Sequence, residues 1–407
     1  HTGTYDLEMS GSNVFALSNT VVGTLSTELE WNATETQILS TDDHAAGDQV
    51  GYSVRVDGNY AVVGASQEST GGSAAGAAYI FYKSGGTWAQ QAKLVASDAQ
   101  ANDHFGEYSD ISGDYVIVGA PNEDTGGSER GAAYIFKRSG TSWTQTARIQ
   151  GSSTNGGDLF GYSVSIDGDY AIVGAYSYDS PSGGAGIAYI FKRDTSAETW
   201  SQQSEFQGSD TTGGDSFGSD VYIDGEYVII GASGEDTGST DTGAAYIFKR
   251  SGTTWSQQVK IQHDDNNYAS ASFGASVSMD GDYCIVGAQN TDSSIGSAYI
   301  FKKDTGAETW TQEAKINASD RESGDAFGNK VSMLGNLVIV AARTEDAGGS
   351  NAGAAYIFER SGTTWTEIKK ITASNAGADD HFSTSVAIDG TTAVSYTHLT
   401  LPTTGVV

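Results

Sequence analysis

The 407-residue sequence predicts an all-β fold: a seven-bladed β-propeller of four-stranded antiparallel blades. Three recurring stretches carry that expectation. A hairpin-like segment returns along the chain as 50–65 VGYSVRVDGNYAVVGA, 105–120 FGEYSDISGDYVIVGA, 160–175 FGYSVSIDGDYAIVGA, 217–232 FGSDVYIDGEYVIIGA, 273–288 FGASVSMDGDYCIVGA and 327–342 FGNKVSMLGNLVIVAA, with a shortened copy from Phe382. Successive copies start 54 to 57 residues apart. Each is followed by a Tyr-Ile-Phe run and then by a strand opening on Trp88, Trp143, Trp200, Trp255, Trp310 or Trp365. A fixed period of this length marks a repeat whose units bury their faces on one another, so the chain is expected to form one domain over 1–394.

Within a repeat, alternating apolar residues lead into an Asp-Gly or Ser-Gly pair and then a short apolar run, which reads as a tight hairpin. Asp and Gly are expected at both central turn positions, since Gly takes positive φ freely and Asp tolerates it. A polar loop such as 121–131 PNEDTGGSERG leads to the third strand, as in 131–138 GAAYIFKR. The second and third strands are continuous apolar runs, as strands covered on both faces should be. The Trp strand alternates with Gln, Thr and Lys, as an outer edge half in water should.

Helical periodicity is absent. The last hairpin lacks its third and fourth strands, while ELEWNATETQILS around Trp31 resembles a fourth strand with no hairpin. Residues 13–39 and 382–394 are therefore expected to assemble one composite blade; a cut, incomplete ring is the alternative. After Val394 the pattern stops. Residues 394–403, VSYTHLTLPT, resemble translated read-through of a sequencing-library adapter, and 395–407 are set aside as a non-native tail, with a natural tail as the alternative.

With 51 acidic against 21 basic residues the formal charge is −30. Nucleic acid and anionic membranes need a basic footprint, so neither is expected as a partner. No stretch is long and apolar enough to span a bilayer, so no membrane insertion is expected. Cys284 fills a slot held elsewhere by Ala or Val, which makes it a core residue rather than a redox or nucleophilic one. No signal peptide is visible in this stretch of sequence.

The Phe-Gly start and Val-Gly-Ala end, followed by Pro in Gly119-Ala120-Pro121, resemble the FG-GAP repeat of integrin α-subunit propellers and of many secreted or surface bacterial proteins. The resemblance covers residues 50–394. It implies a seven-bladed propeller, an extracellular or cell-surface setting and a role in adhesion or ligand binding, and it does not imply an enzyme. One departure matters. In integrins several repeats carry a DxDxDG calcium loop between the hairpin strands, whereas here that segment is a turn of about two residues. So tight a turn cannot supply the six to eight oxygens of a calcium ion.

Strand order places the polar loops and linkers on one rim, the hairpin turns and third-to-fourth turns on the other. Acidic residues cluster on the first: Glu123 and Asp124, Glu235 and Asp236, Glu345 and Asp346, with Asp103, Asp158, Asp215 and Asp325 in the linkers. These ten residues are the candidate ligands for weak calcium sites, of the ~10⁻⁴–10⁻³ M class of extracellular modules. The alternative is that each linker Asp caps backbone N–H groups in an Asx-type turn. Basic pairs, Lys137-Arg138, Lys192-Arg193, Lys249-Arg250 and Lys302-Lys303, repeat toward the opposite rim.

The turn KKDTGAETW (302–310) is superficially similar to a sialidase Asp box but out of register. A sialidase-like hydrolase or lyase would need three of the non-repeating Arg55, Arg130, Arg321 and Arg343 to converge at the central channel. The expectation is a monomeric, non-catalytic module that binds a protein or glycan through its acidic loop rim, with no cofactor unless calcium. A structural module of a larger adhesin is the runner-up.

Overall fold

The computed structural model describes residues 4–9, 14–20, 32–35, 37, 39, 41–45, 47–125, 127–236, 241–264, 270–389 and 392–396. Six four-stranded antiparallel sheets occupy residues 50–94, 108–149, 163–206, 217–261, 276–316 and 327–371, each with its strands side by side in chain order. They are numbered here as blades one to six. The architecture is a β-propeller, and among the described residues no helix is long and apolar enough to cross a membrane. One helical turn, Thr291–Ser294, interrupts the β structure, and positive φ at Asp292, Ser293 and Ser294 makes it left-handed.

A further sheet joins both chain ends in the order Val386–Asp389, Thr392–Tyr396, Val14–Thr20, Thr4–Met9, Asn32–Glu35. The third position is filled from the expected segment, with Ala16 opposite Val394. The fourth is not. Thr4–Met9 takes it, antiparallel to Val14–Thr20, and Asn32–Glu35 adds outside in parallel. Thr4–Met9 lies so near in sequence to Val14–Thr20 that closing this pair costs little chain entropy. Trp31 lies outside the described residues. Ser395 and Tyr396, part of the segment set aside as non-native, belong to the strand Thr392–Tyr396.

The core lies between blades rather than inside any one of them. Ile80 and Ala78 of blade one pack with Phe105, Val116, Val118, Tyr134 and Phe136 of blade two, and the same arrangement recurs around the molecule. Each Phe of the Phe-Gly pairs is fully buried, which contributes roughly 2–3 kcal/mol per side chain. Cys284 sits in one of these clusters, and burial pushes its thiol well up.

The Phe-Gly and Gly-Ala ends of the repeat are two halves of one contact between blades. A Cβ on Gly64 would stand 1.8 Å from the Gly106 carbonyl oxygen, and one on Gly231 would stand 1.9 Å from that of Gly274. Neighbouring backbones therefore approach as closely as glycine allows. Blade six breaks the rule with Ala341, and the residue after the next Phe is then Ser383 instead of glycine. The two departures occur at one seam, where Ala341 and Phe382 share a cluster.

The hairpin turns differ from expectation by one residue. Asp57 pairs with Tyr60 as the last residue of its strand, leaving Gly58-Asn59 as the two-residue loop. Gly58, Gly168, Gly225 and Gly281 have φ between +54° and +58°, while the residues after them do not have positive φ. Glycine at the first turn position alone suffices for this turn. The Asp is thereby released to reach the next blade. Gly113 N–H donates to Asp57 (2.6 Å), Gly225 to Asp167 (2.8 Å), Gly281 to Asp224 (2.7 Å) and Gly58 to Asp389. Ser112 serves Gly168 in the same way, at 3.3 Å.

Candidate functional site

The acidic rim is built from two kinds of carboxylate. Glu123, Glu235 and Glu345 are buried in the polar loops, and each meets a cation of its own blade's outer strand: Arg148 at 2.6 Å, Lys260 at 2.6 Å and Lys370 at 2.7 Å. Glu68 and Lys93 make the same pair at 3.0 Å. That cation also binds a linker acid, as Lys260 binds Asp210 and Lys370 binds Asp320, and the buried third-strand tyrosines Tyr246 and Tyr356 donate to the same acids at 2.8 Å. The arrangement was legible in principle. In blade three the loop Glu is replaced by Tyr178, and the outer-strand cation by Glu205.

The linker aspartates follow the turn-capping alternative. Asp103 accepts the Gln100 N–H at 2.7 Å, Asp158 that of Asn155 at 2.5 Å, Asp215 that of Thr212 at 2.6 Å and Asp325 that of Glu322 at 2.6 Å. Burial raises all four carboxyls, Asp103 to about 6, where Glu123, Asp124 and Asp98 add to the rise and the Gln100 N–H opposes it. Asp124, Asp236 and Asp346 are exposed; Asp236 and Asp346 accept N–H groups of their own loops from Asp241 and Asn351. Among the described residues no group of three or more His, Cys, Asp or Glu side chains comes together to hold a metal ion.

The basic pairs near the hairpin rim are also engaged. Arg138, Arg193, Arg250 and Arg360 stack on Tyr60, Tyr115, Tyr170 and Tyr283 of the preceding repeats at 4.1–4.5 Å. Lys303 does the same on Tyr227, and Arg138 and Arg193 also pair with Asp114 and Asp169. In the Asp-box-like turn, Asp304 accepts the N–H groups of Gly306 and Ala307, which lowers its carboxyl. It therefore shapes its own turn.

The place where the repeats stop resembling one another is the axis. The innermost strands line two cavities, one at each end of a central channel. At the hairpin end, a cavity of about 250 Å³ is ringed by Asp57, Asp167, Asp224, Asp280 and Asp389, the residues that clasp neighbouring turns. At the loop-rim end, a cavity of about 290 Å³ is lined by the residues that follow each Phe-Gly. These vary from repeat to repeat: Tyr52, Glu107-Tyr108, Tyr162, Ser219-Asp220, Ala275, Asn329-Lys330 and Thr384-Ser385.

Three of the seven repeats place a tyrosine there. Tyr108 and Tyr162 lie 4.7 Å apart between ring centroids, and Tyr176 stands 4.2 Å from Tyr162. Burial raises the phenols of Tyr52 and Tyr108, and that of Tyr162 to about 12, so all three remain protonated donors at neutral pH. The Lys330 ammonium reaches across to 5.5 Å from the Tyr108 ring. Arg343 is exposed at the edge, its N–H donating to Asn329 Oδ1. Among the described residues neither Lys330 nor Arg343 forms an ion pair.

Deeper in, the Arg55 guanidinium lies 3.9 Å from Asp110, whose carboxylate also accepts from Ser165 and from the Ile111 and Ile166 N–H groups. Burial raises Asp110, with Arg55 the main opposing influence. Of the four non-repeating arginines, Arg55 and Arg343 reach the channel; Arg130 instead donates to Thr154, and Arg321 does not line the cavity. The triple convergence required of a sialidase-like site does not form. The loop-rim mouth itself was missed, although the variable pair after each Phe-Gly was the signal for it.

Comparison with known proteins agrees with this architecture. A model of the FG-GAP repeat matches the chain seven times, over residues 33–81, 88–136, 143–191, 200–248, 255–301, 310–358 and 365–394. From residue 88 onward each matched unit starts on a Trp strand and runs into the next blade's first strands, so it straddles two sheets. No curated protein matches the chain. Among solved structures, a protein from Lactobacillus plantarum is 13% identical with a TM-score of 0.53, covering 92% of this chain and 96% of its own. A candidate 6-phosphogluconolactonase from Bacteroides uniformis is 12% identical with a TM-score of 0.57, covering 91% and 96%. At such identities the likeness concerns the fold.

Proposed function

The chain belongs to the FG-GAP repeat family, and from that premise we propose that it is a non-catalytic, extracellular adhesion module that binds a protein or glycan through its loop-rim face. One observation carries the reading. The repeats are nearly alike wherever they pack on each other and diverge where they face the loop-rim end of the axis. A residue shared by every blade serves closure, whereas a ligand needs a particular, asymmetric set of groups. Rigid scaffolds bind through such variable positions. The acidic composition and the family resemblance support the extracellular setting.

The same face argues against glycoside hydrolysis. Glycoside hydrolysis commonly uses two carboxyl groups flanking the bond. In the mouth, both oxygens of Asp220 are taken by the Val221 and Val277 N–H groups, which leaves Glu107; deeper in, Asp110 is fully engaged. We also assign seven blades, the seventh composite. In support, the Val54 N–H donates to Ser385 and the Gly58 N–H to Asp389 on one side, while the Ile388 N–H donates to Ser332 on the other.

Attachment of the intact protein to immobilised matrix glycans and proteins, compared with the Tyr162→Ala variant, tests the function. Loss of attachment in a variant that still melts cooperatively is expected. Unchanged attachment would favour a structural module whose binding partner sits elsewhere. A direct assay for 6-phosphogluconolactonase activity checks the second reading suggested by the Bacteroides protein, which the basic groups at the mouth favour.

A further inference from the structure

We infer that the loop-rim mouth of the channel is a subsite for a sugar carrying one acidic group, held by Lys330 and Arg343 against the wall formed by Tyr52, Tyr108 and Tyr162. This rests on the reading of the loop rim as the binding face and names the ligand class it takes. Charge comes first. In a protein of formal charge −30, two cations stand at one opening with no ion pair among the described residues. By contrast, the outer-strand cations Lys93, Arg148, Lys260 and Lys370 are each held by acids. An anion entering this mouth would supply the partner that the fold does not, and a guanidinium and an ammonium both suit a carboxylate or phosphate oxygen.

The wall supplies the second half. Tyrosine rings present flat apolar faces with polar tips, which suits the C–H face and hydroxyls of a sugar ring. The rest of the lining is mostly hydroxyl and amide, including Ser219, Ser233, Gln289, Asn329 and Thr384, which suits a hydroxylated ligand better than an apolar side chain. The opening of about 290 Å³ is at the small end of ligand pockets, enough for a terminal sugar rather than a long segment. Glu107 stands on the tyrosine side, 3.5 Å from His104, and so places the acidic group of the ligand toward Lys330 and Arg343. Beyond Arg55 the far mouth is ringed by aspartates, which bars an anion from passing through.

The test is titration calorimetry of the full chain at low salt with glucuronate and galacturonate oligosaccharides, glucose 6-phosphate, and their neutral counterparts. The acidic sugars are expected to bind at least tenfold more tightly than the neutral ones, and more weakly as salt is raised. Lys330→Gln with Arg343→Gln is expected to remove that preference with no change in melting temperature, and Arg321→Gln, a charge removed outside the cavity, to keep it. The carboxylated and phosphorylated arms identify which anion the mouth prefers. Equal affinity for neutral sugars, or an acid preference that survives in the double variant, overturns the subsite while leaving loop-rim binding intact. Absence of any sugar binding overturns the subsite as well, and protein attachment sensitive to Tyr162→Ala would then show that the face still binds.

Discussion

The two ends of the channel are made by the same seven strands and could hardly differ more. At the hairpin end, a carboxylate of one turn takes the glycine N–H of the next, from Asp389 and Gly58 on to Asp280 and Gly335, with the Ser112 hydroxyl standing in once, at Gly168. At the loop-rim end, adjacent positions carry tyrosine, glutamate, serine, asparagine and lysine with no period at all. Repetition marks where blades must fit each other. Its absence marks where nothing in the fold dictates the residue, and chemistry is free to enter.

The sharpest way to break the regular part is to remove a buried anchor between blades. Phe217→Ala is expected to cost about 3–5 kcal/mol, read from the denaturant midpoint, because Phe217 is fully buried against Tyr246 and Phe248. Next comes the ring of turns. Asp224→Ala leaves the Gly281 N–H without its acceptor and should cost ~1–2 kcal/mol, most of it restored by Asp224→Asn. Arg360→Ala removes both the stacking on Tyr283 and the hydrogen bond to its hydroxyl, at about 1 kcal/mol or a little more. At the irregular mouth the outcome inverts: Lys330→Gln should change stability by less than ~0.5 kcal/mol while altering what binds.

The smallest effect is in pH. Asp103, Asp158, Asp215 and Asp325 have raised carboxyl pKa values in the folded state, Asp103 about 6. The folded protein therefore takes up protons before the unfolded chain does. Their contribution to stability is fully present below the unfolded carboxylate pKa and is lost as pH rises through the folded value. The melting temperature should accordingly increase modestly as pH falls from ~7.5 toward ~5. Asp103→Asn should make that rise shallower and lift the midpoint at neutral pH.

Most of the fold was legible because it is written many times over. Alternation, the Tyr-Ile-Phe run and the Trp strand identify four strands per blade, and averaging over copies removes the ambiguity a single strand would have. The hairpin turn was misplaced by one residue because Asp-Gly fits two turn registers, and the choice depends on the neighbouring blade, whose glycine N–H donates to the freed aspartate. The end strands were misassigned for a similar reason: pairing Thr4–Met9 with Val14–Thr20 is local, whereas the Trp31 segment matched only by pattern. The candidate site was the least legible part. Acidity suggested cation binding, but whether a glutamate faces solvent or an outer-strand lysine depends on the strand bulge and loop path that bring them together, as for Glu235 and Lys260.

The seam between blade six and Phe382 has an implication for how such chains can change. At the Gly64 and Gly231 type of joint, units are interchangeable, so unequal crossing-over between copies would yield neighbours that still mesh. Ala341 facing the Ser383 side is keyed differently, since its methyl group would strike the carbonyl that a glycine joint presents. Shuffled or duplicated genes that separate this couple would lose their fit at one point on the circle, which gives the order of the units a fixed origin.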